Sequence, residues 1–326
     1  MSAGCAHDAG ASKLAAAAPR ASDGSSACEG LIGRFVGLPA IEEVPQASSA
    51  PAPLAGRWWV RKCAAPSHEG RVRLRLEGPG WYFVDEDGSD LSLHQQVPFD
   101  LAIELEGRLD AELANGVLSI WLVPEKEPLI ELDASRNLDV RASSAWGAFL
   151  RWMPLVPVQA MAADRFSDAA VSALRIKLRS GATATYDFRS NQGDATLGKL
   201  GAGQTPSHAF GDRTPWLVND RLLLPPSAVH VLGPIAPGPT RLDVNVEQGE
   251  GIAYRAVCER DLDSNYSALA HGRVSEVSGG AIITRGTVTG LGLHTTDFAV
   301  NDCKFYLIIS SVARARRTLA SLRVRA

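Results

Sequence analysis

Residues 97–113 read VPFDLAIELEGRLDAEL, and this stretch decides the fold. Val97, Phe99, Leu101, Ile103, Leu105, Gly107, Leu109, Ala111 and Leu113 take every odd position. Asp100, Glu104, Glu106, Arg108, Asp110 and Glu112 stand between them. Side chains of a β-strand alternate between faces, so this period predicts one long strand, or two collinear ones, apolar on one face and charged on the other. An ideal strand of that length reaches on the order of 55 Å, whereas ordinary strands have only about 5–6 residues. Gly107, in the middle, predicts a bend or bulge that curves the sheet.

The same signals continue outward. Asn115-Gly116 is a hairpin turn dipeptide, and Val117–Val123 is its returning strand. Upstream, Arg71–Leu76 (RVRLRL) alternates arginine with apolar residues, and Trp81–Val84 (WYFV) is a continuous apolar run. The acidic segment Asp85–Asp90 lacks the spacing of a calcium loop and reads as a solvated hairpin tip. Leu129–Leu132 and Leu138–Ala142 are shorter strands. The period then lengthens. Ser144–Met153 and Asp164–Arg179 space their apolar residues for helical faces, and Gly181 caps the second. Ala182–Phe188 returns to a strand. Further strands are expected at Val229–Leu232, Arg241–Val246, Ile252–Cys258, Ala281–Val288, Lys304–Ser310 and Thr318–Val324, punctuated by Gly and Pro as in a β-sandwich.

The expected class is therefore α+β and mainly β: a curved antiparallel sheet or barrel packed with two helices, followed by a C-terminal β-sandwich. Residues 1–55 read as a flexible tether and Pro/Ser-rich linker, 56–190 as the sheet or barrel domain, 191–228 as a Gly/Pro-rich connector and 229–326 as the sandwich.

The chain has 326 residues, with 33 Lys plus Arg against 36 Asp plus Glu and a net charge of -3. A 45% hydrophobic content supports ordinary cores, and the charge balance leaves no footprint for nucleic acid. The basic Val312–Arg317 segment has no interleaved aromatics and reads as a hairpin tip. There is no GxSxG elbow, HExxH, P-loop or GxGxxG, and the seven histidines are scattered. The expectation is a protein that is not an enzyme, with no cofactor and no metal site.

Cys5, Cys28, Cys63, Cys258 and Cys303 make an odd count. Ser2-Ala3-Gly4-Cys5 resembles the lipobox of bacterial envelope lipoproteins, with Ser2 where that motif carries Leu. The resemblance implies that Cys5 is lipidated and anchors the chain to a membrane. Ala6 rather than Asp after it implies the outer membrane, so the expected address is the bacterial envelope, outer-membrane-anchored or periplasmic. A small-residue run in an Ala-rich tail is the other reading. With Cys5 set aside, the remaining cysteines fall into local pairs, Cys28–Cys63 and Cys258–Cys303, expected to be disulfides in an oxidising compartment. The other reading is reduced, buried thiols.

Gly56-Arg57-Trp58 resembles the GxW opening of lipocalins, and long strands accompanied by helices resemble tubular lipid-binding (TULIP) domains. Both resemblances imply a hydrophobic ligand. On that reading Trp58 closes one end of a cavity, and Phe99, Leu101, Ile103 and Leu105 face the ligand. The same apolar face packed as a solid core gives the alternative. The functional choices are thus an envelope carrier of a lipid or other hydrophobic molecule, or a structural or adhesive surface lipoprotein whose sandwich binds protein partners, themselves unidentified.

Overall fold

The computed structural model describes residues 28, 32–39, 53–68, 71–87, 91–135, 141–142, 158–188, 192–200, 203, 218–226, 228–279, 282–313 and 317–325. The strands are β1 (Phe35–Pro39), β2 (Leu54–Trp59), β3 (Lys62–Ala64), β4 (Ser67–His68), β5 (Arg71–Asp87), β6 (Leu91–Ala114), β7 (Val117–Pro124), β8 (Leu129–Ala134) and β9 (Arg141–Ala142). Helix α1 (Val158–Leu178) precedes β10 (Ala182–Asp187) and β11 (Gln192–Leu197). Next come β12 (Val218–Leu224), β13 (Val229–Ile235), β14 (Gly238–Gln248) and β15 (Gly251–Cys258), then helix α2 (Glu259–Ala270). The chain ends with β16 (Ile282–Thr289), β17 (Gly292–Val300), β18 (Phe305–Ser311) and β19 (Thr318–Arg325).

The fold is α+β and mainly β, as its alternation requires. Its large sheet runs β11-β10-β7-β6-β5-β2-β12-β19-β14-β17, and a second, four-stranded sheet runs β13-β18-β15-β16. The barrel alternative is not realised. Instead of curling back onto the first strands, β2 meets β12 in parallel at Leu54↔Leu222, and the sheet continues open into the C-terminal half.

The alternating stretch is the centre of one uninterrupted strand, the 24-residue β6. It pairs antiparallel with all 17 residues of β5, from Arg71↔Arg108 to Asp87↔Ser92. On its other edge β6 changes neighbour. Residues 99–104 pair with β8 and residues 107–114 with β7. Gly107 sits at that change, where a Cβ would lie 1.9 Å from the Val123 carbonyl oxygen. Only a residue without a side chain lets β7 approach there.

The expected helix at 164–179 is α1, which starts earlier. Ala163, Phe166, Ala170, Leu174 and Leu178 form its buried stripe. They pack on the apolar face of β5 and β6 in one core with Trp58, Leu76, Leu101, Ile103 and Leu105. The helix expected at 144–153 lies outside the described residues. The second long helix among the described residues is α2, which sequence reading passed over. Its Leu262, Tyr266 and Leu269 recur at helical spacing, and Glu259 and Asp261 favour its N-terminal turn. Val218–Leu224, inside the stretch read as a connector, is β12, paired along its length with β19.

The C-terminal half is a sandwich. β12, β19, β14 and β17 face β13, β18, β15 and β16. Leu222, Val244, Ala256, Leu307 and Leu322 are among the residues of the core between them. Strand β5 serves both halves. Tyr82 and Val84 point into the core under α1, Phe83 joins the sandwich core, and Trp81 joins a third core under α2. This explains the WYFV run: both faces of β5 are buried there, and alternation disappears.

The structure joins Cys28 to Cys63 and Cys258 to Cys303. The first bond fastens the segment before β1 to β3, and the second fastens the end of β15 to the turn before β18. Such bonds form and persist in oxidising surroundings, periplasmic or extracellular. Among the described residues no helix is long and apolar enough to cross a membrane. Cys5 and the Ser2–Cys5 motif lie outside the described residues.

Candidate functional site

The charged and apolar faces of β5 and β6 meet very different surroundings. On the solvent side the cross-strand partners form an ion-pair ladder. Arg73 lies 3.4 Å from Glu104 and 3.2 Å from Glu106, and Lys126 lies 2.7 Å from Glu106. Hydrogen bonds from Lys126 and Arg73 hold the Glu106 carboxyl below its usual range. On the other side the apolar face receives α1.

Beside α1 runs an open groove of about 1080 Å³. From the apolar face it is lined by Leu101 of β6, by Ile130 and Leu132 of β8, and by Val171 and Arg175 on the flank of α1. From the charged face it takes Arg75, Glu77, Asp100 and Asp133, with Lys62 of β3 at the lip. Glu77 accepts hydrogen bonds from Lys62 at 3.2 Å and Arg75 at 2.7 Å, which lower its pKa in that order of effect. Arg175 approaches Glu127 at 3.5 Å. A groove that sets apolar side chains among charged ones can hold an aliphatic body and leave a polar head in water.

The register explains the floor. Leu101 faces Leu132, and Ile103 faces Ile130, so the alternation of β6 is copied on β8. Trp58, Phe99, Leu101, Ile103 and Leu105 are all brought onto one face, none more than 4% exposed. Of these, Leu101 is among the groove's lining residues, and Trp58, Phe99, Ile103 and Leu105 are packed in the layer beneath α1. Trp58 donates its indole N–H to the Gly78 carbonyl at 3.0 Å. Sequence reading missed Ile130, Leu132 and Val171. The signal was present in the Leu129–Leu132 strand and the helix after it, but nothing along the chain says that these two meet.

One polar group in that layer lacks a partner among the described residues. The Tyr82 ring packs against Phe99 and Phe166, 5.7 Å from each between ring centroids, and its buried hydroxyl makes no hydrogen bond. Burial raises its pKa, so it stays protonated and available as a donor.

A second buried polar cluster stands where the halves join. Arg57 of β2, 2% exposed, donates to Asp220 of β12 at 2.9 Å and to Nδ1 of His230 of β13 at 3.0 Å. Nδ1 is therefore the acceptor, and Nε2 carries the proton toward the Leu223 carbonyl at 3.2 Å. Burial first, and the Arg57 charge second, push the His230 pKa well down. His230 is 1% exposed and fully engaged, which makes this cluster a fastening between β2, β12 and β13. Among the described residues, no group of three His, Cys, Asp or Glu side chains is arranged to hold a metal ion.

No family model matches the chain, and no curated protein matches it. Among solved structures it has a likeness to a structure of extended synaptotagmin 2 that comprises its SMP domain and two C2 domains, at 9% identity and a TM-score of 0.16. That likeness covers 82% of this chain and 53% of the other, so the chain spans about half of that protein's structure. A likeness to an exo-β-1,3-galactanase from Phanerochaete chrysosporium with galactose has 7% identity and a TM-score of 0.18, covering 82% of each chain. At these scores neither likeness assigns a function.

Proposed function

We propose that the chain is a non-enzymatic envelope lipoprotein that carries a lipid or similar hydrophobic molecule in the groove beside α1, with Cys5 as its lipid anchor. The observation that carries this reading is the groove itself. Leu101, Ile130, Leu132 and Val171 line it together with charged side chains, Glu131 and Asp168 among them. The deep burial of Trp58, Ile103 and Leu105 favours the second reading, a solid-cored adhesive lipoprotein.

Apolar extraction and mass spectrometry of protein purified from an oxidising compartment should release lipid, and a fluorescent fatty acid should bind the emptied protein. Val171→Trp fills the groove from the flank of α1 and is expected to abolish probe binding while leaving the melting temperature nearly unchanged. A parent protein that releases no lipid and binds no probe overturns the carrier reading in favour of the adhesive one.

A further inference from the structure

The outer face of the small sheet, turned away from the sandwich core, carries charge that the groove does not explain. Part of this face is buried under α2, where Val231, Val257, Tyr306 and Ile308 pack. Beyond that patch it turns polar. Arg255 of β15 and Arg285 of β16 stand directly opposite each other. In the next row Ser310 of β18, Ala253 of β15 and Thr287 of β16 stand side by side. Tyr254 and Ala256 point into the sandwich core, so Ala253 and Arg255 between and beside them point outward. Rows two residues apart on a strand are about 7 Å from each other, within the reach of an arginine side chain.

Like charges directly opposite on neighbouring strands are destabilising. Among the described residues no carboxylate pairs with either arginine. Burial, and after it the charge of Arg285, lowers the Arg255 pKa, and no acidic group opposes them. Glu250 and Glu259 lie outside β15, one beyond each of its ends. The pair is also set for access: Arg255 is half-buried and Arg285 exposed. Ser310 at the edge of the buried patch and Thr287 in solvent put hydroxyl groups on either side of Ala253, whose methyl leaves room between them.

We infer that this face holds a phosphate-monoester site: Arg255 and Arg285 grip the doubly charged oxyanion, and the Ser310 and Thr287 hydroxyls over Ala253 donate to its remaining oxygens. Each guanidinium presents a planar fork of N–H donors that matches phosphate oxygens in pairs. Two opposed positive charges call for about two negative ones. A phosphate monoester carries about −1.5 to −2 near neutral pH, whereas a diester or a carboxylate carries one. The bound anion neutralises a repulsion that the chain itself leaves uncompensated. The site lies in the other half of the molecule from the groove, so it does not rest on the carrier reading.

The test is calorimetric titration of the full chain, disulfides intact, with glycerol phosphate and with dimethyl phosphate near neutral pH. The parent is expected to bind the monoester at least about tenfold more tightly than the diester. Arg255→Gln and Arg285→Gln should each weaken monoester binding by at least about tenfold. Arg285→Lys keeps the charge but loses the fork, and should weaken it severalfold. Without ligand, Arg285→Gln should raise the unfolding midpoint, since it removes a like-charge contact, whereas a structural role would lower it. If Arg255→Gln does not fold, the exposed Arg285→Gln carries the test alone. Sedimentation with phosphatidylcholine vesicles, with and without phosphatidic acid, separates the sources of the ester. Binding to the phosphatidic acid vesicles that depends on Arg285 identifies a lipid headgroup, and its absence beside glycerol phosphate binding identifies a soluble ester. A parent that binds glycerol phosphate no better than dimethyl phosphate, or whose binding survives Arg285→Gln, overturns the inference.

Discussion

In the sandwich, four strands face four strands, whereas among the described residues of the other half one helix faces β2–β3, β5, β6 and β8. An α-helix with its side chains is about 10–12 Å across, and strands lie about 4.8 Å apart, so one helix shields roughly two strands. Matched sheets leave no uncovered apolar strip; a helix on a wider sheet does. The strip beside α1, over β8, is the groove. What separates the two halves is the width of the covering element.

The contrast can be broken most strongly in the cores. Leu307→Ala in the sandwich and Leu174→Ala under α1 both remove fully buried side chains and should each cost about 2–5 kcal/mol in denaturant unfolding. Leu132→Ala, on the groove floor, leaves no closed void and should cost less than either. Equal costs at all three positions would mean that the strip beside α1 is covered in solution.

The disulfides sharpen the comparison further. Cys28–Cys63 closes 35 residues and Cys258–Cys303 closes 45, which chain entropy converts to about 4 kcal/mol each. Replacing either pair with serine should lower the unfolding midpoint by similar amounts. A loss confined to one pair would show that the other half holds its closing segment by packing alone.

The smallest effect is one of pH. His230 is held neutral in the fold, with its pKa below the ordinary value. Between that lowered pKa and about 6.5 the unfolded chain binds a proton that the folded chain does not, so stability falls as pH drops through this window. One proton sets a limiting slope of about 1.4 kcal/mol per pH unit. His230→Asn, which keeps an acceptor for Arg57, should flatten the dependence. An unchanged slope would place the titrating group elsewhere.

What the sequence disclosed followed from how each element is buried. β6 was legible because one of its faces meets α1 and the other meets water, which writes a period of two into its residues. The cysteine pairs were legible from their number and their neighbours. β17 was not, because it is an edge strand whose inward positions include His294 and Thr296, half-buried, so its hydrophobic contrast is weak. β12 escaped because its register with β19 joins residues about a hundred apart in the chain. The groove escaped for the same reason. Leu101, Leu132 and Val171 are ordinary core residues along the chain, and only the placement of α1 leaves them at an opening.

Strand β5 has a thermodynamic consequence. Its successive residues Trp81, Tyr82, Phe83 and Val84 are divided among three cores, and no neighbour in that run belongs to the same core as the next. Withdrawing β5 from one core withdraws it from all, so heat or denaturant meets a single cooperative unit there. Strain introduced beneath α1 is felt in the sandwich without any moving part to transmit it, and a chain truncated after β11 would expose Trp81 and Phe83 to water.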